Sequence, residues 1–448
     1  MANFSKSNVP QFSVDVYQNE YLPEGGREVN AIVTVSSTGG GTIGGAVAAP
    51  HLYAPGQGPS AAVAIMVDCS GSMDYPPTKM RGARDATAAA IDALRDGVHF
   101  AVVGGTHIAK EVYPGGGRLA VASATTRDQA KQALRKLSAG GGTAIGTWLK
   151  LADSLLASEE AAIRHGILLT DGRNEHESPE DLRAALDASA GRFTCDARGV
   201  GTDWEVKEVT GIASALLGTA DIVADPAGLA ADFTRMMETA MGKEVADVAL
   251  RLWTPMGTEI KFVKQVAPTV EELTERRTEA GPRAGDYPTG SWGDESRDYH
   301  VCVKVPAAGL GQEMLAARVS LVIPQPDGTV HNLGAQGLVR AVWTDDMAAS
   351  TSINPQVAHY TGQAELAQVI QQGLDARKSG DVDGATAKLG RAVQLASESG
   401  NADTAKLLAK VVDVVDAAAG TVRLKAKVAE ADEMTLETRS TKTVRVKK

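Results

Sequence analysis

Between residues 61 and 242, short unbroken apolar runs alternate with amphipathic segments, and this alternation restricts the fold more than any other feature of the chain. The runs are residues 62–67, 98–103, 167–169, 193–199 and 222–224. Helical spacing of apolar residues marks 80–94, 127–137, 145–157, 179–189, 205–212 and 229–241. A segment that is apolar at every position suits a strand buried on both faces, and helices between such strands supply the cover. The pattern predicts an α/β unit with a doubly wound, mostly parallel sheet.

The flanks follow a different period. Residues 11–17 alternate, with Phe12, Val14 and Val16 apolar, and 29–35 carry Val29, Ile32, Val33 and Val35. Period two marks half-buried strands. Residues 37–45 and 51–60 are rich in Gly and Pro and read as loops or linkers. Strand character returns at 245–253, 259–266, 299–305, 314–322 and 338–343, with turn signals at 254–257 and 326–328. The Gly- and Pro-containing stretch 278–293 reads as an exposed loop. The economical arrangement puts these strands in one β-sandwich with the two N-terminal strands, and inserts the α/β unit into it.

From Asn354-Pro355 onward the period is helical, at 364–374, 385–395 and 405–415. Gly380-Asp381 and Gly400-Asn401 punctuate the pattern as helix stops and hint at a helical-hairpin repeat. Residues 434–448 alternate Thr, Val and Leu with Glu, Arg and Lys, as a terminal strand or a basic tail would. The expected division is 1–60 for the first sandwich strands, 61–242 for the α/β domain, 243–352 for the rest of the sandwich and 353–448 for a C-terminal helical region.

Composition narrows the partners. The formal net charge of -10 argues against a general nucleic-acid or anionic-membrane binder, because both need a positive field. The residues after Met-Ala-Asn-Phe-Ser-Lys form no apolar leader core, and no run of about 18 apolar residues occurs. The expectation is a cytoplasmic protein. Cys69, Cys195 and Cys302 are far apart, which fits buried thiols rather than a disulfide framework or a zinc site.

One constellation carries chemistry. The strand at 63–67 runs directly into Asp68-Cys69-Ser70-Gly71-Ser72-Met73, and a helix follows within ten residues. Ligands of open α/β sheets bind at such carboxyl ends. Gly140-Gly141-Gly142-Thr143 precedes the helix starting near 145, and Asp171 closes the strand ending Leu168-Leu169-Thr170. Singly, each has a simpler role, with Ser72 or Asp74 capping a helix and Asp171 serving the turn before Ser178. Together they offer only oxygen donors, which suit a hard cation such as Mg²⁺. Two carboxylates among three hydroxyls would leave a bound cation short of charge.

Asp68-x-Ser70-x-Ser72, then Thr143, then Asp171 resembles the metal-ion-dependent adhesion site of the von Willebrand factor A family, in order, spacing and strand–loop–helix context. The resemblance covers 61–242. It implies that Ser70, Ser72 and Thr143 are hydroxyl ligands, and that Asp68 and Asp171 bind the ion directly or through water. The ion would be Mg²⁺, with Mn²⁺ or Ca²⁺ as alternatives, and a partner's Asp or Glu would complete its shell. The wider layout resembles multidomain bacterial proteins of that family, which work in assemblies with ATPases or with signalling kinases and phosphatases. Cys69 fills the variable position as a spacer pointing into the sheet.

Enzymatic readings lack their parts. An Asp nucleophile would want a second carboxylate where Ser70 stands. Ser70 has no Gly-x-Ser-x-Gly elbow, and His99, His107, His165 and His176 are scattered and read as surface or packing residues. Gly104-Gly105, Gly115-Gly116-Gly117 and Gly140-Gly141-Gly142 read as turns, since no phosphate-loop Lys-Ser/Thr follows them. The expectation is a non-enzymatic protein-interaction module. A metal-dependent hydrolase or phosphatase, and a scaffold in which the metal only steadies loops, are the alternatives. The mixed charges around Arg276-Arg277 read as a solvated face, and Arg439, Lys442, Arg445, Lys447 and Lys448 as a solubilising end or a contact for an acidic partner.

Overall fold

A computed structural model describes residues 10–38, 59–325 and 327–446. The glycine- and proline-rich residues 39–58, Pro326, Lys447 and Lys448 lie outside these, and with them most of the expected loops at 37–45 and 51–60. The chain divides into two compact units. One spans Gly41–Ala246 with Gly290–Gly293, and the other contains the N-terminal strands, Asp247–Thr289 and the chain from Asp294 on.

The first unit is built on a seven-stranded sheet. Ala220–Val223, Thr194–Val200, Ile163–Thr170, Ala61–Asp68 and His99–Gly105 lie side by side in that order, all parallel. Ala109–Tyr113 and Ala120–Val121 add antiparallel edges that the apolar pattern did not reveal. All eight residues of Ala61–Asp68 are buried, as a strand covered on both faces requires. Ala61, Val63, Ile65 and Val67 meet the helices Thr78–Asp92 and Leu229–Met241 through Ala83, Ala86, Ile91, Phe233 and Met237. The small alanines let these helices approach closely, which suits a chain with 4% aromatic residues. From Ala61–Asp68 the chain winds first to His99–Gly105 on one side and later crosses to Ile163–Thr170 on the other, so its carboxyl end is a topological switch point. The α/β class and mostly parallel sheet read from the sequence are what the structure has.

Among the described residues the second unit carries two larger sheets and a two-stranded one. One orders Gln11–Gln18, Glu28–Thr38, Glu295–Lys304, Glu259–Ala267 and Glu271–Glu272. The other orders Thr278–Glu279, Ala284–Trp292, Val245–Trp253, Glu313–Pro324, Val330–Trp343 and Tyr21–Leu22. Val14 and Val16 press against Gly337, where a Cβ would lie 2.5 Å from Val16, so the sheet faces meet.

His300 sits inside this unit. Its Nε2 lies 2.9 Å from Asn30 Oδ1 and its ring meets Phe262 edge-on. Burial first, then the Lys264 charge, lowers its pKa from 6.5 to about 4. The unfolded chain therefore takes up the proton first, and stability should fall as pH drops from 6.5 toward 4. At pH 4.5 the loss from this group is about 2–3 kcal/mol. Urea unfolding at pH 7 and 4.5 should show a smaller acid loss in His300→Gln than in the wild type, and equal losses would contradict this role.

Three sequence readings need correction. The stretch 278–293 is exposed only as far as Arg283. Ala284–Trp292 is a strand with Tyr287 and Trp292 buried, tied to Val245–Trp253 by the Arg251–Asp286 pair at 2.7 and 2.8 Å. Its Gly285 makes room for the Arg277 side chain rather than a turn. The helix expected through 415 stops at Val411, where Val412–Asp416 pairs with Thr421–Leu424 in a hairpin. The β-branched run Val411-Val412-Asp413-Val414-Val415 suits a pleated strand better than a helix.

The C-terminal stretch is neither strand nor free tail over its first half. Glu430–Arg439 is a helix, and Thr438 returns its hydroxyl to the Met434 carbonyl at 2.7 Å. Beyond it, Arg445 contacts Asp298 at 3.1 Å and Lys442 bridges to Thr269. The two Gly stops hold. Gly380 and Gly400 take φ of +81° and +67°, and Asp381 and Asn401 then cap the next helices through Gly384 N–H and Thr404 N–H.

Candidate functional site

Strand Ala61–Asp68 ends inside the sheet, so Asp68 is fully buried where its neighbours also end. Its Oδ1 accepts the Ser70 backbone N–H at 2.7 Å. Its Oδ2 accepts the Thr170 hydroxyl at 2.7 Å and the Asp171 N–H at 3.4 Å. One carboxylate thus ties the Asp68–Ser72 loop to the end of Ile163–Thr170. Burial raises its pKa from 3.8 to about 6, against the hydrogen bonds from Ser70 and Thr170 that favour the ionised form.

A chain of oxygens runs outward from there. Ser70 Oγ and Ser72 Oγ are 3.0 Å apart, and Ser72 donates to Asp171 Oδ1 at 2.7 Å. Gly71 lets the loop close on the Thr143 arm. Gly71 N–H donates to Gly141 O at 2.9 Å, and Gly140 N–H to Cys69 O at 2.8 Å. Thr143 is buried beside these residues, its N–H on His176 Nδ1 at 3.2 Å and its carbonyl accepting the His176 N–H at 2.9 Å. A Cβ on Gly172 would lie 3.1 Å from Ser72 Oγ and 3.8 Å from Thr143 Oγ1, so both hydroxyls converge on the one position without a side chain. Asp68, Ser70, Ser72, Thr143 and Asp171, from three separate loops, are therefore brought together.

The all-oxygen donor set is chemically compatible with a small divalent ion. Neighbouring corners of an octahedron with metal–oxygen bonds of about 2.1 Å lie about 3.0 Å apart. The oxygen spacings of 3.0 Å along Ser70–Ser72 and 2.7 Å along Ser72–Asp171, hydrogen bonds as they stand, would need little change to reach it. Among the described residues no cluster of three or more His, Cys, Asp or Glu is placed to hold a metal. The donors here are of another kind, two carboxylates and three hydroxyls.

Several neighbours escaped the sequence reading. Lys79, in the first turn of Thr78–Asp92, is buried and bonds Asp171 Oδ2 at 2.8 Å and Asp203 Oδ2 at 3.1 Å. Thr170 holds Asp68. His107 and His176 are exposed as expected, but each accepts a backbone N–H of the Thr143 arm, His107 from Gly142 at 3.4 Å and His176 from Thr143 at 3.2 Å. The only signal for any of them was proximity to a strand's carboxyl end.

His165 is elsewhere. It lies near the amino end of its strand, at 3.0 Å from Asp196 and 2.9 Å from Thr194. That pair draws Asp196 well below the usual carboxylate range despite its burial. Cys69 is buried in the core with its Sγ near Val67 O, and burial pushes its thiol up to about 12, so it is an inert spacer.

Comparison with known proteins bears on the family and the fold. Residues 61–222 match the family model described as von Willebrand factor type A domain, and 394–440 match the von Willebrand factor type A C-terminal domain. A solved von Willebrand factor type A protein from Catenulispora acidiphila is 52% identical, covers 99% of each chain and superposes with a TM-score of 0.91. The ArnB paralog VWA2 from Sulfolobus acidocaldarius shares the fold at 14% identity, with 97% of this chain and 100% of that one covered and a TM-score of 0.58. No curated relative matches the chain.

Proposed function

The chain belongs to the von Willebrand factor type A family, and from that premise we propose that it is a metal-dependent protein-capture module rather than an enzyme. Ser70, Ser72 and Thr143 would offer hydroxyl ligands, and Asp68 and Asp171 would bind directly or through water. Mg²⁺ suits the all-oxygen set, with Mn²⁺ or Ca²⁺ as substitutes. When bound, the ion supplies an open, electrophilic position for an Asp or Glu of a partner protein.

The observation that carries this reading is the convergence of the Ser72 and Thr143 hydroxyls beside Gly172, with Ser72 in turn hydrogen-bonded to Asp171. The chain's own residues do the positioning. Asp68 locks two loops together, and the Gly140–Gly142 arm is zipped onto Cys69 and Gly71 so that Thr143 cannot swing away. A hydrolytic role finds less support, because His107 and His176 beside the site hold backbone N–H groups of the Thr143 arm on Nδ1, and His165, with its carboxylate partner, sits at the opposite end of its strand. Three free cysteines suit a reducing compartment such as the cytoplasm. Among the described residues, no helix is long and apolar enough to cross a membrane.

Affinity capture from native lysate tests the reading. Proteins retained by the wild type in Mg²⁺ should be lost both in EDTA and with Thr143→Ala, while that variant keeps the wild-type fold by circular dichroism. Capture that ignores both EDTA and the substitution would overturn it.

A further inference from the structure

The buried ammonium of Lys79 is a site feature that a metal-binding reading does not use. Its side chain is 6% exposed, and it salt-bridges Asp171, one of the carboxylates assigned to the metal. It takes Oδ2 at 2.8 Å and leaves Oδ1 to the Ser72 hydroxyl. A second carboxylate, Asp203, holds the ammonium from the solvent side at 3.1 Å, with its own side chain 69% exposed.

We propose that Lys79 is a built-in counter-cation that weakens metal binding and so makes occupancy depend on an acidic ligand; this rests on the metal-capture reading above. A cation on Asp171 Oδ1 would lie within about 7 Å of the ammonium, the width of a carboxylate plus two contacts. At that range, in a buried site, like charges repel strongly. The formal charges then sum differently from those of an open pair of carboxylates. Among the buried groups Asp68 and Asp171 contribute two negative charges and Lys79 one positive charge, while Asp203, 69% exposed, is screened by solvent, so a divalent ion leaves the buried part of the pocket at +1. A single incoming carboxylate neutralises it. Without Lys79 the loaded pocket would already be neutral and would gain less from a ligand. The lysine thus turns a metal site into a coincidence site, in which ion and acidic group favour each other's binding.

The test is calorimetric titration of the full chain with MgCl₂, in chloride and in acetate buffer, for the wild type and Lys79→Met. The methionine keeps the stem's bulk and removes the charge. The expected result is Mg²⁺ binding at least about tenfold tighter in Lys79→Met, with acetate tightening binding in the wild type and little in the variant. Metal-free Lys79→Met should also melt lower than the wild type and gain more from Mg²⁺, because two carboxylates are left without their counter-charge. A purely structural lysine would lower the melting point with and without metal alike. Equal or weaker Mg²⁺ binding in Lys79→Met overturns the inference and leaves the capture reading standing. Absence of Mg²⁺ binding in both proteins overturns both. If Lys79→Met does not fold, Asp203→Asn serves, since the ammonium then rests on Asp171 alone. Mg²⁺ binding weakened by about threefold supports the inference, and unchanged binding overturns it.

Discussion

Trp148→Ala is expected to lower stability by about 3–5 kcal/mol and to weaken divalent-metal binding in the molecules that still fold. The indole is fully buried and lies against Gly105, where a Cβ would fall 2.2 Å from the ring. Its Nε1 donates to Thr106 O at 2.7 Å, the same carbonyl that accepts the Ala144 N–H at 3.1 Å. Helix Ile145–Ala157 is therefore docked at its first turn, immediately after Thr143. Removing the indole leaves a large cavity and frees the arm that carries Thr143 to the other oxygens. Guanidinium unfolding should report the stability loss, and MgCl₂ titration of the folded variant a raised Kd. A midpoint close to that of the wild type would show that the indole is not the anchor. A raised midpoint cost with unchanged Kd would show that the anchor does not reach the site.

The same device recurs at the far side of the site. Gly199 makes room for the Trp204 ring, at 2.0 Å from the Cβ it lacks, and Trp204 Nε1 donates to Gly201 O at 2.9 Å. The turn that carries Asp203 toward Lys79 is held in this way. A chain with few aromatic residues thus spends two of them at strand ends beside the candidate site, each seated on a glycine.

Much of this was legible because the signals are local. The strand Ala61–Asp68 is apolar until its last residue, so Asp68 had to end it, and the Ser70–Ser72 spacing follows at once. Thr143 and Asp171 were found because each opens or closes an element whose period was clear. What escaped depends on contacts between distant segments. Lys79 looks like any lysine in a first helical turn until Asp171 and Asp203, 92 and 124 residues away, are placed beside it. Gly104-Gly105 read as a turn, whereas both glycines are strand residues and Gly105 is there for the Trp148 ring. Gly285 misled in the same way, marking close approach by Arg277 within a buried strand. The hairpin of Val412–Asp416 and Thr421–Leu424 was hidden because its first strand continues a helix without a break.

The central claim is that the oxygens gathered around Asp68 hold a divalent ion, and calorimetric titration with MgCl₂ tests it most directly. Asp68 accepts hydrogen bonds from two loops, so its loss should remove both a charge and the link between them. Even outer partners of a metal site weaken binding by about 10–100-fold when removed, and a carboxylate inside the site should matter at least as much. The wild type should give a saturable heat and a melting temperature that rises with Mg²⁺, as a ligand bound only to the native state requires. Asp68→Asn, which keeps the side chain's shape, and Asp68→Ala should both lose the heat and the shift. Saturable binding of equal strength in the wild type and both variants, or no heat and no shift in the wild type at millimolar Mg²⁺, would contradict the claim.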